Sequence, residues 1–145
     1  MAHTTREELL EKLRVAGELT TGELAIQEST EEIMVVQKKA INLFVPAGEP
    51  TDYSPLVTPE LVSQMETIGR EVVTGDRYKH TKSGGEYEIV GVGLNVVSGE
   101  PTVAYRELSH TPAITWLRTH SGEDGWTVPT EISGVPAPRF TKIEA

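Results

Sequence analysis

The sequence contains no cysteine, so disulfide bonds, thiolate nucleophiles and cysteine-ligated metals are excluded. No apolar run approaches the roughly 20 residues that a membrane-spanning helix needs. The start of the chain also lacks a basic stretch followed by an apolar one, which is the pattern of a secretory signal peptide. These absences predict a cytoplasmic protein that does not bind membranes.

Positive charge is scarce as well. The chain has 13 Lys and Arg against 22 Asp and Glu, and its net charge is −9. Because nucleic-acid phosphates repel such a surface, we expect no nucleic-acid partner. The imbalance is −7 over residues 1–74 and only −2 over residues 75–145. A small anionic ligand would therefore meet less repulsion in the second half.

Common catalytic signatures are missing too. There is no G-x-S-x-G nucleophile motif and no clear Ser/His/Asp set. The Gly-Val-Gly run at 91–93 lies inside a strand pattern with no helix after it, so it is not a phosphate loop. Paired glycines in a strand instead predict a sharp bend or close packing. The sequence favours a protein without catalytic activity.

The first half of the chain is predicted to be helical. Thr5 and Glu8 match a capping box ahead of a leucine stripe. Apolar residues over 33–44 recur at helical spacing, although the β-branched run 33–36 is also compatible with a strand. The Thr-Pro-Glu sequence at 58–60 is a strong helix start, with an N-cap, a proline at the first position and an early acid.

The second half changes to a period of two, which is typical of strands. Turn signals lie at 83–85 and 98–100. We predict an α+β fold in which about three helices over 1–74 pack on a small antiparallel β barrel or curled sheet over 75–145. A β module of this size is marginally stable alone, so a homo-oligomer is also considered. Strands are expected near 77–82, 85–97, 101–108, 113–118 and 125–131.

An ordered series of short motifs runs through the second half and resembles a family of small β domains from bacteria and their phages. The family has no established activity, so the resemblance implies a compact, barrel-like domain and a phage accessory role as one setting. The matching positions are Tyr78, Lys79, His80, Lys82, Gly84, Tyr87, Ile89, Gly91, Glu100, Val103, Tyr105, Arg106, Trp126, Pro129, Glu131, Pro138, Arg139 and Phe140.

Two positions depart from the family pattern. Val128 stands where the family usually has an arginine, and Asn95 stands where it often has a histidine. If those side chains contact a ligand in relatives, the resemblance implies that the ligand differs here.

Aromatic and cationic side chains in the second half have two interpretations. They form a concave face that takes a nucleotide-like or other anionic ligand, since bases stack on rings and phosphates accept from Arg and Lys. Alternatively the rings fill a barrel core, which is the commoner fate of aromatics on short strands and is favoured for them. For Arg106, Arg118 and Arg139, binding and structural pairing are equally open. The candidate ligand-binding residues are Tyr78, His80, Lys82, Tyr87, Tyr105, Arg106, Trp126 and Arg139.

Acidic residues suggest a metal-dependent alternative. The segment 27–31 resembles the first motif of the all-helical nucleoside-triphosphate pyrophosphohydrolases, in which Glu28, Glu31 and Glu32 would hold Mg²⁺ from one helix. Gln27 replaces the first acid of that motif, and the E-x-x-D partner motif is missing. A second metal set, which matches no standard spacing, consists of His110, His120, Glu123 and Asp124.

Taken together, the sequence predicts a non-catalytic binding module for a small anionic or nucleotide-like ligand, with no metal or cofactor. One alternative is a Mg²⁺-dependent nucleoside-triphosphate pyrophosphohydrolase that uses the three glutamates. The other is a purely structural or protein-binding domain.

Overall fold

The structure, a computed structural model, describes residues 5–19, 22–48, 52–122 and 125–143. Within these ranges the chain forms two α-helices, a short 3-10 helix at Ser54–Leu56 and ten strands. The helices are α1 (Arg6–Leu19) and α2 (Pro59–Glu71). The strands are β1 (Leu24–Gln27), β2 (Ile33–Lys38), β3 (Asn42–Pro46), β4 (Arg77–His80), β5 (Glu86–Asn95), β6 (Pro101–Glu107), β7 (Thr115–Thr119), β8 (Thr130–Ile132), β9 (Val135–Ala137) and β10 (Phe140–Ile143).

Six strands close into a small β barrel. Their order is β5-β3-β2-β1-β7-β6, and β6 pairs again with β5. The β1–β2–β3 unit is antiparallel within itself but joins its neighbours through parallel pairs, β3 with β5 and β1 with β7. Strands β4 and β10 extend the sheet beyond β5, while β8 and β9 form a separate hairpin.

The predicted arrangement of about three N-terminal helices on a C-terminal antiparallel barrel is wrong. Between α1 and α2 the chain forms β1, β2 and β3, so of the two possibilities considered for 33–36 the strand is the one observed. The sheet also crosses the expected boundary at 74/75, since β3 pairs with β5 and β1 pairs with β7. The barrel is mixed rather than antiparallel because those two junctions are parallel.

Burial on both faces of the strands explains the error. An interior cluster draws on all six barrel strands, and the residues next to these along each strand point outward. Consecutive residues of these strands are therefore apolar, and the sequence loses the apolar–polar alternation that identifies a strand with one exposed face. The interior cluster consists of Ala25, Met34, Val36, Phe44, Val90, Ala104 and Leu117.

Three layers cover the outside of the barrel. Leu9 of α1 packs on Ile26, and Met65 of α2 packs in a cluster with Leu43 and other outward residues of β2, β3 and β5. The third layer is a set of aromatic rings from the C-terminal strands and turns. This third layer holds the candidate site.

The helix starts agree with the sequence. The Thr58 side chain accepts a hydrogen bond from the Leu61 backbone N–H at 3.2 Å, with Pro59 in the first turn of α2. The Thr5 hydroxyl accepts from the Glu8 backbone N–H at 3.2 Å, which is the N-cap half of the predicted capping box, and it donates to the Glu8 carboxylate at 3.2 Å. In the ranges that the structure describes, neither helix is long and apolar enough to cross a membrane.

A buried carboxylate fastens α1 to the barrel. Glu107 on β6 pairs with Arg6 at 2.7 Å and accepts hydrogen bonds from the Ile114 backbone at 3.0 Å and the Trp116 indole at 3.1 Å. Burial alone would raise the pKa of Glu107, but these donors outweigh it and hold the pKa below its ordinary value. The start of the chain is thereby tied to a strand about a hundred residues later.

Most strand predictions in the second half are confirmed to within a few residues. Strands β4, β5, β6 and β7 lie where the period of two predicted them, and the turns at 81–83 and 96–98 begin about two residues before the predicted ones. The strand expected over 125–131 is limited to β8, because residues 126–128 form a turn. The C-terminal strand β10 pairs with β4, placing Phe140 opposite His80.

Candidate functional site

Aromatic rings from five parts of the second half pack together. Trp126 and Phe140 are stacked, with ring centroids 3.9 Å apart and planes 8° apart. Tyr105 contacts both rings at 5.3 and 5.6 Å, Tyr78 meets Trp126 edge-on, and Tyr87 meets Tyr105 edge-on. All except Tyr87 are buried. These rings form a core layer in which each ring packs mainly against the others.

A charged cluster lies against this layer. Arg118 on β7 donates from Nη2 to Glu28 Oε1 at 2.6 Å and from Nε to Glu28 Oε2 at 3.1 Å. The Tyr105 hydroxyl donates to the same Oε2. The Arg118 guanidinium carbon also lies 5.4 Å from the centre of the Phe140 ring. The carboxylate thus receives three hydrogen bonds from two residues that rest on the aromatic core.

The parallel pairing of β1 with β7 brings these residues together. Gln27 lies opposite Leu117 in the register, and the Glu28 backbone N–H donates to the Leu117 carbonyl at 2.9 Å. Arg118 therefore sits beside Glu28 although 90 positions separate them. On β7, Arg118 and Trp116 share the face that turns away from the barrel interior.

Tyr105 and Arg118 each keep one protonation state near neutral pH. The Arg118 side chain is 12% exposed and Tyr105 is 3% exposed. Burial, followed by the Glu28 charge, raises the pKa of Tyr105 well above its ordinary value. Burial alone would lower the pKa of Arg118, but Tyr105 and Glu28 raise it instead. Near neutral pH the tyrosine therefore keeps its proton and the arginine keeps its charge.

A cleft of about 720 Å³ opens beside the cluster. Its walls combine both signs of charge with uncharged hydrogen-bonding groups, and Glu28, 39% exposed, faces it. Such a lining suits a small polar ligand. The lining residues are Gln27, Glu28, Ser29, Glu100, Arg118, Thr119 and Arg139.

The two departures from the family pattern lie next to this cleft. Asn95 is buried and donates from Nδ2 to the Gln27 side chain at 2.8 Å, which positions one wall of the cleft. The Val128 carbonyl accepts from Arg139 Nε at 3.1 Å, which positions another. Both positions therefore contact cleft residues, Asn95 through its side chain and Val128 through its backbone carbonyl.

His80 lies between the rings and the charged groups. Its Nδ1 is 2.9 Å from the Ser83 hydroxyl, and its ring centre is 5.1 Å from that of Phe140. Burial lowers the pKa of His80, and the charge of Arg118 lowers it further, with partial compensation from Glu28. The imidazole is therefore neutral near pH 7, and its pKa depends on the charges at the cleft.

The candidate binding residues are divided by the structure. Tyr78, Tyr87, Tyr105 and Trp126 belong to the ring layer, with His80 beside it, and Arg139 lines the cleft. Lys82 is exposed in the turn after β4. Arg106 is exposed on the other face of β6, where it pairs with Glu88 at 2.6 Å.

Arg118 and Glu28 were missed as a binding pair. The alternation of Trp116, Leu117 and Arg118 along β7 is a signal that Arg118 shares a face with a ring. Nothing local identifies Glu28 as its partner, since the two meet only through the β1–β7 junction.

The metal alternatives lack the geometry that they need. Glu28, Glu31 and Glu32 lie in the turn between β1 and β2, so the helical spacing assumed for a Mg²⁺ site is wrong. Glu28 is also engaged by Arg118. Of the other set, Glu123 and Asp124 lie outside the described residues. Among the residues that are described, no group of three or more His, Asp or Glu could hold a metal ion.

Comparisons with protein-family models, with curated proteins and with solved structures gave no match. The resemblance of the second half to the bacterial and phage β domains stays a prediction from the motifs.

Proposed function

We propose that this protein is a non-catalytic, cytoplasmic binding module that holds a small anion in the cleft beside Arg118 and Arg139. The observation that carries the proposal is the partly buried Arg118, whose Nε and Nη2 present a fork to a carboxylate on the cleft wall. A guanidinium fork matches the two oxygens of a carboxylate or phosphate. A phage accessory role and a homo-oligomer stay predictions.

The protonation states of the two donor residues, Tyr105 and Arg118, favour binding over proton transfer by these groups. General acid–base catalysis favours a pKa near the working pH. The pKa values of Tyr105 and Arg118 both lie above their ordinary values, far from neutrality. A nucleotide-like ligand would be held through its phosphate, because Trp126, Phe140 and Tyr105 already contact one another.

Replacing Arg118 with glutamine is expected to weaken anion binding by roughly 10- to 150-fold, since a hydrogen bond to a charged group contributes about 1.5–3 kcal/mol. Isothermal titration with acetate, succinate, inorganic phosphate and adenosine nucleotides measures this. Arg106→Gln is the matched control, because Arg106 also pairs with a glutamate at 2.6 Å but lies away from the cleft. An equal loss in both variants would contradict the proposal.

Anion binding is also expected to raise the pKa of His80. Burial and the charges of Arg118, Arg139 and Lys82 lower that pKa, and an anion in the cleft offsets the charges. Protonated His80 then favours the anion, so affinity should increase as pH falls through the His80 pKa. NMR titration of the His80 imidazole protons, with and without the anion, measures the shift in this pKa. An anion that binds without moving the His80 titration would place its site elsewhere.

A further inference from the structure

Glu28 occupies the position that the anionic group of a ligand would take. Both of its carboxylate oxygens are engaged, Oε1 by Arg118 Nη2 at 2.6 Å and Oε2 by Arg118 Nε at 3.1 Å and the Tyr105 hydroxyl. The three donors lie on adjacent strands, β6 and β7, and together surround a planar group with two oxygens. Such a donor set is a receptor for a carboxylate, and the chain's own side chain fills it.

The two sides of this contact differ in how firmly they are held. Tyr105 is 3% exposed and belongs to the ring layer, and the 12% exposed Arg118 side chain packs on that layer, so both are held more firmly than an exposed side chain. Glu28 is 39% exposed and begins the turn between β1 and β2. Rotation of its side chain into solvent breaks no strand pairing. The carboxylate is therefore the exchangeable partner.

We propose that Glu28 is an internal occupant of the site and that the ligand is a carboxylate, which displaces it from Arg118 and Tyr105. The inference rests on the proposed function and narrows its ligand class. Exchange of one carboxylate for another preserves charge and shape at the donors. A phosphate dianion would add a further charge next to the displaced Glu28 and near Glu100 on the cleft wall.

The cleft is larger than a bare carboxylate group, so the rest of the ligand lies among polar side chains. Gln27, Ser29 and Thr119 offer hydrogen bonds there, and Glu100 offers a negative charge. A free organic acid and the C-terminal carboxylate of a peptide share this chemistry. Titration with organic acids and with a short peptide separates the two sources.

Glu28→Gln should increase affinity for a carboxylate by roughly tenfold, because the neutral amide competes less well for the guanidinium. Glu28→Asp should also bind tighter, since the shorter side chain cannot reach both donors, and it provides a second variant if the first folds poorly. Glu88→Gln is the matched control: Glu88 makes the same 2.6 Å pair with Arg106 and should leave affinity unchanged.

Isothermal titration of each variant uses acetate, succinate, triglycine, triglycine amide and inorganic phosphate. Tighter carboxylate binding in the Glu28 variants alone supports the inference, and a preference for triglycine over its amide identifies a peptide terminus. Unchanged affinity in both Glu28 variants, or tighter binding of phosphate than of every carboxylate, overturns the inference that a carboxylate displaces Glu28. Either result is still compatible with an anion site beside Arg118. No binding to wild type or to either Glu28 variant overturns the anion site as well.

Discussion

Gly93→Ala is expected to lower the free energy of unfolding by about 3 kcal/mol, at the upper end for overpacking a buried site. Gly93 lies opposite Asn42 where β5 meets β3. A Cβ at this position would stand 2.8 Å from the Asn42 Cβ and 2.9 Å from its carbonyl carbon, and closer still to its carbonyl oxygen. Backbone cannot move aside as a flexible side chain can, so the substitution forces the two strands apart.

Gly69→Ala is the matched control for this prediction. Gly69 lies within α2, and outside its own helix the nearest atom to an added Cβ is Val92 Cγ2 at 3.8 Å. Alanine should therefore stabilise the protein by about 0.5–1 kcal/mol through its higher helix propensity. Urea denaturation of both variants measures the difference. Equal stability of Gly93→Ala and Gly69→Ala would contradict the close approach of the β3 and β5 backbones.

Phe140→Ala is expected to cost about 3–5 kcal/mol, the range for removing a buried phenylalanine. Phe140 stacks on Trp126, contacts Tyr105 and His80, and lies under the Arg118 guanidinium. Its loss leaves a cavity in the ring layer and removes the main apolar anchor of β10. Because Arg118 loses its support, anion affinity should fall together with stability.

Thr141→Ala provides the comparison, since Thr141 is exposed on the same strand and its substitution should change stability by no more than about 0.5 kcal/mol. Unfolding in urea, followed by tryptophan fluorescence, reports on the ring layer directly because Trp126 is part of it. Similar costs for the two variants would show that the C-terminal strand does not hold this layer together.

Elements with local signals were predictable. Thr58 and Pro59 define the start of α2 through a local cap. The glycine-containing connections over 81–85 and 96–100 define the β4–β5 and β5–β6 hairpins in the same local way. The placement of Tyr78 and Tyr105 in a core layer agrees with the interpretation favoured from their residue type and strand setting, whereas Trp126 joins that layer from a turn.

The strands over 24–46 were not predictable by the same means. Met34 faces the barrel interior while Val35 packs in the layer under α2, so apolar residues occupy consecutive positions. A short continuous apolar run is compatible with either a buried strand or a buried helix. Only the pairing of β3 with β5 and β1 with β7, across gaps of about 50 and 90 residues, decides between them.

The same distinction applies to the site. Residue types alone established an acidic protein without cysteine chemistry and a C-terminal half rich in strands, rings and cations, because these properties depend on composition and short-range pattern. They did not distinguish Arg118 from Arg106, which both lie on barrel strands and both pair with a glutamate at 2.6 Å. Arg118 lines a cleft and Arg106 does not, because closure of the barrel sets Glu28 and the ring layer beside one and leaves the other facing solvent.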